Sequence, residues 1–125
     1  MQLYTKTQIK PFSEKIDHQS SIFSIGSCFA ENIANKLRSL KFRITSSPTG
    51  ILFNPASIAL AIERLVVYNN GDINALPQRE ELQYDNGLWF HYDFHSSFSH
   101  SDADKAIEQM QRAVKAGAEA LKHAD

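Results

Sequence analysis

A chain of 125 residues has room for one ordinary domain and a single hydrophobic core. Apolar residues make up 42% and charged residues 22%, which excludes the composition of a disordered chain. Thirteen basic against fourteen acidic residues give a formal charge of −1, so no strong basic field exists to attract phosphate backbones or anionic lipid. Neither nucleic acid nor a membrane is an expected partner.

Met1 to Ile9 alternates polar and apolar residues and lacks the basic and apolar regions of a secretory signal. No run of 18 apolar residues is present, and the single cysteine, Cys28, cannot form an internal disulfide. A reducing, cytoplasmic location is the expectation.

Following an extended lead-in from Leu3 to about Asp17, Ser21 to Gly26 is a short apolar run closed by glycine, the pattern of a buried strand. Apolar positions then recur at Phe29, Ile33, Leu37 and Leu40, which predicts an amphipathic helix with Glu31, Asn32, Lys36 and Arg38 elsewhere on the wheel. Phe42 to Thr45 reads as a second strand, and strand, helix, strand predicts parallel pairing. Ser46 to Gly50 is a turn. Asn54-Pro55 then opens a helix to about Tyr68, with Ile58, Ala61, Ile62, Leu65 and Val66 on its apolar face. A three-residue loop at Asp85-Asn86-Gly87 would put Leu82, Tyr84, Leu88, Phe90 and Tyr92 on one face of a hairpin. Ser101 with Asp104 reads as the start of a last helix, striped by Ile107, Met110, Val114 and Leu121, with Gly117 tolerated inside it. Two parallel strands and a hairpin make a thin sheet for three helices, so the alternation leads us to expect the N-terminal part of a longer α/β domain.

In open α/β sheets ligands bind at the carboxyl ends of strands, and both ends here carry unusual loops. Gly26-Ser27-Cys28 leads into a helix, where backbone N–H groups and the helix dipole favour a developing anion. Gly50 to Asn54 follows the second strand and could supply an N–H from Gly50 and an amide from Asn54 to an oxyanion. The plainer alternative makes Ser27 a cap, Cys28 a small buried residue and Gly50 a turn residue.

Gly26-Ser27-Cys28-Phe29-Ala30 resembles the motif that gives the GSCFA family its name, a family distantly related to SGNH (GDSL-like) hydrolases. Gly50-Ile51-Leu52-Phe53-Asn54-Pro55, with Ser57, is similar to that family's second block. Trp89 to Ser99, including His95-Ser96-Ser97-Phe98-Ser99, resembles its third. The resemblance implies a flavodoxin-like three-layer α/β/α sandwich of the SGNH-hydrolase type with a hairpin insertion, incomplete within residues 1–125. It also implies esterase or acyltransferase chemistry on a small-molecule or glycan-type acylated substrate, with no cofactor. Alignment on the SGNH first block places Cys28 on the nucleophilic serine and leaves Ser27 as the alternative. Gly50 falls on the glycine whose N–H helps form the oxyanion hole, with Asn54 supporting that site or capping its helix. His95, Ser96 and Ser97 are expected near the substrate.

Two departures stand out. Ser47-Pro48-Thr49-Gly50 replaces the usual Asn-Pro-Phe-Gly, and no Asp-x-x-His block occurs. A nucleophile without a base is poorly activated, so these residues alone are expected to be inactive. The rival from another class is a noncatalytic binding or assembly module. A third reading is metal binding through His91, Asp93 and His95, which would share one side of a strand.

Overall fold

The computed structural model describes residues 3–125, so the first two positions of the alternating N-terminal stretch lie outside the described residues. Residues 3–16 are irregular and exposed. At Asp17 the chain turns, and its carboxylate accepts the backbone N–H groups of Gln19 and Ser20 at 2.7 and 3.0 Å. These bonds hold the carboxyl below the ordinary aspartate value.

The strand, helix, strand unit forms as expected. β1 (Ser21–Ser24) leads through α1 (Cys28–Ser39) to β2 (Arg43–Ser46), and β1 pairs parallel to β2 from Ser21↔Arg43 to Ser24↔Ser46. β1 is half-buried rather than enclosed, because β2 is its only strand neighbour among the described residues. Ser24 and Gly26 turn their carbonyls toward the β2 side, where they accept from Ser47 N–H at 2.8 Å and Leu52 N–H at 2.9 Å. Ser21 faces the other way. Its N–H donates to the Asp125 carboxylate at 2.7 Å and its carbonyl accepts the Asp125 N–H at 2.9 Å. By the alternation of a strand, the N–H and C=O of Phe23 point to this same open edge.

A two-stranded sheet is narrow, and α1 lays a row of small residues over it. Ala34 is fully buried and Leu37 half-buried, whereas Phe29 is 72% exposed and Ile33 and Leu40 also face solvent. The predicted stripe therefore only partly meets the sheet.

α2 runs Pro55–Asn69, with Asn54 as its cap. Ala61 and Leu65 are buried, while Val66 lies outside the contact face. Single turns of 3-10 helix at Ile73–Ala75 and Arg79–Glu81 lead to β3 (Gln83–Asp85) and β4 (Leu88–Phe90). The hairpin departs from the expected three-residue loop. Asp85 pairs with Leu88, leaving Asn86-Gly87 as a two-residue turn with φ of 49° and 82°, the left-handed pair of a type I′ turn. Tyr84 then sits opposite Trp89, their rings 5.0 Å apart. Leu82, Trp89 and His91 turn inward, and Tyr84, Leu88 and Tyr92 remain exposed.

α3 (Ala103–Lys122) is capped by Asp102, not Ser101, because the Asp102 carboxylate accepts the Asp104 N–H at 2.9 Å. Met110 and Val114 are fully buried in a cluster with Leu65, Leu76, Leu82 and Phe94, which joins α3 to α2 and the hairpin, and Ile107 and Leu121 flank it. Gly117 is required by packing: a Cβ there would lie 2.7 Å from Cβ of Pro48. α3 thus presses on the turn after β2. The architecture is mixed α/β with two small sheets. Among the described residues, no helix is long and apolar enough to cross a membrane.

Candidate functional site

α1 begins where β1 ends, with Ser27 as its N-cap in extended conformation but with no side-chain cap bond. The first-turn N–H groups of Cys28, Phe29 and Ala30, which have no intrahelical acceptor in any helix, therefore receive none from the Ser27 side chain either. Cys28 is exposed at this positive helix end, and the Ser27 hydroxyl is not spent on capping.

The adjacent carboxyl end of β2 carries a strained turn. Ser47 adopts φ of 43°, and Gly50 closes the turn by donating its N–H to the Ser47 carbonyl at 2.8 Å. The Gly50 N–H is thus occupied, which corrects its expected use as an oxyanion donor. What Gly50 provides is space. Its φ is 93°, and a Cβ at this position would fall 2.1 Å from Cβ of His95. The same close approach is fixed by the His95 N–H, which donates to the Thr49 carbonyl at 3.1 Å.

A cavity of about 360 Å³ opens here, lined by Glu31, Ser46, Ser47, Gly50, Ile51, His95 and Ser97. Three residues expected from the sequence, Gly50, His95 and Ser97, converge on it. Ser96 is exposed beside it without lining it. Cys28 and Ser27 do not line it either, but Glu31 does, one helical turn further along α1. Asn54 is engaged elsewhere: its Oδ1 accepts the Ser57 N–H at 2.8 Å and its Nδ2 donates to Ser57 Oγ at 2.9 Å, the geometry of a helix cap.

His95 Nδ1 accepts the Ser97 backbone N–H at 3.1 Å and lies 3.1 Å from Ser97 Oγ. With that lone pair engaged, a neutral His95 carries its proton on Nε2 and acts as a hydrogen-bond donor. Glu31 and Ser46 are functional candidates that the sequence reading missed. Ser46 Oγ donates to Glu31 Oε1 at 3.2 Å and accepts from Arg38 Nη2 at 3.1 Å. Ser47 Oγ and Thr49 Oγ1 are buried without a hydrogen-bond partner. On the helical wheel Glu31 looked like solvated polar surface; only the turn after β2 brings a cavity to it.

His91, Asp93 and His95 do not form the shared strand side that the metal reading requires. β4 ends at Phe90, and the three residues diverge. His91 is 6% exposed against Phe94, with Nδ1 accepting the Asp93 N–H at 3.1 Å. Asp93 pairs with Arg64 at 2.9 Å, and His95 lines the cavity. Among the described residues, no group of three His, Cys, Asp or Glu is placed to hold a metal ion.

No curated protein and no solved structure matches the chain. The sequence model of the GSCFA family matches residues 21–125, from the first residue of β1 through the blocks that build the cavity, and the chain belongs to that family.

Proposed function

We propose that this chain carries the nucleophile-bearing part of an SGNH-like esterase or acyltransferase of the GSCFA type. The supporting observation is one juxtaposition: an uncapped helix N-terminus bearing Ser27 and Cys28 and a cavity bearing His95 and Ser97 lie at the carboxyl ends of two adjacent parallel strands. Cys28, or alternatively Ser27, attacks the carbonyl carbon of an ester-linked acyl group. The free N–H groups of the first turn of α1 receive the oxyanion in place of the occupied Gly50 N–H. His95, Ser96 and Ser97 contact an acylated small molecule or glycan, and Gly50 and Asn54 hold the second loop in place. The open edge of β1 and the exposed Phe29 and Ile33 of α1 support completion of a three-layer α/β/α sandwich by further strands, which would also bring the base.

A noncatalytic binding module is the second reading. It is favoured by His95, whose Nδ1 lone pair is already engaged. The test is labelling of the full-length protein with serine- and thiol-directed acyl probes. The catalytic reading expects labelling to vanish in the combined Cys28→Ala and Ser27→Ala variant, and retained labelling rejects the nucleophile assignment.

A further inference from the structure

We infer that Glu31 sets the charge selectivity of this cavity and that the cavity takes a neutral, hydroxyl-bearing group of about sugar-ring size, rejecting an anionic one. The inference rests on reading the cavity as the acyl-substrate site. Glu31 supplies the only carboxylate among the described lining residues. Ser46 donates to one of its oxygens, while Arg38 backs Ser46 without lining the cavity. No hydrogen bond within the protein reaches the other oxygen of Glu31 among the described residues, which leaves it free to accept from a ligand hydroxyl. A complementary donor lines the same cavity: the neutral His95 ring offers Nε2–H because Nδ1 is engaged.

A ligand hydroxyl that accepts from His95 and donates to Glu31 satisfies both groups. The cavity volume of about 360 Å³ is within the usual range for small-ligand sites. A ligand carboxylate would instead face Glu31 at short range in a partly desolvated space, where one like charge weakens binding by about tenfold.

The test is backbone-amide NMR titration of the chain with methyl β-D-glucopyranoside and with methyl β-D-glucuronate. Expected are shifts at Gly50, Ile51 and Ser97, a glucoside affinity at least about tenfold above that of the glucuronate, and a difference reduced to about twofold or less in Glu31→Gln. The glutamine keeps an oxygen to accept from Ser46, and unchanged amide shifts in α2 and α3 verify the fold of the variant. Equal affinities in the unsubstituted protein, a difference that survives Glu31→Gln, or no shifts at the cavity would each overturn the inference. Acyl-probe labelling is scored separately, so loss of the nucleophile assignment and loss of charge selection are distinguishable.

Discussion

Asn54 has two incompatible assignments, one as an oxyanion contact and one as a helix cap, and its hydrogen bonds favour the second. Both polar atoms of its side chain are engaged by Ser57. Asn54→Ala should therefore lower stability by about 1 kcal/mol, the usual cost of losing a cap. Acyl-probe labelling per folded molecule should be unchanged. A urea melt together with that labelling decides the matter, since an oxyanion role requires labelling to fall much further than stability. Gly50 illustrates a related point. Its sequence position suggested a donor, but its N–H closes a turn and its missing Cβ admits His95. No spacing rule in the sequence announces a contact between residues 45 positions apart.

At the level of elements, periodicity made the helices legible, and α2 was readable almost to the residue because Asn54-Pro55 and Asn69-Asn70-Gly71 mark its ends. The hairpin was not, because both of its faces carry large apolar residues. Trp89 on one face and Leu88 and Phe90 on the other make either register plausible until packing against α3 selects Trp89. Gly117 was likewise misjudged as merely tolerated within α3, since its reason lies in Pro48 on a different element. Gly117→Ala gains up to about 1 kcal/mol in helix propensity but must open a contact of 2.7 Å against a rigid proline ring. The clash should win, with a net loss of about 1–2 kcal/mol by denaturant unfolding; an unchanged or raised midpoint would show that α3 does not press on this turn.

For the whole molecule, the parallel unit and the α/β class were legible in the sequence. The inner wall of the cavity was not, because Glu31, Ser46 and Ser47 become neighbours of His95 only through the path of the chain after β2. The same topology leaves one edge of β1 open, and this has a measurable signature. In hydrogen exchange of the 125-residue chain, the Phe23 amide should exchange much faster than the Ser24 amide, which points toward β2. Comparable protection of the two would mean that another segment already covers that edge.

The paired bonds between Ser21 and Asp125 span 104 positions of sequence. Closing so large a loop is entropically demanding, and contacts of high sequence separation form late in folding. Until α3 has formed and brought Asp125 back, the N–H and C=O of Ser21 are an unpaired stretch of strand edge, a surface that seeks another strand. Partly folded copies of this chain are therefore the species prone to associate, and refolding yield should fall as protein concentration rises.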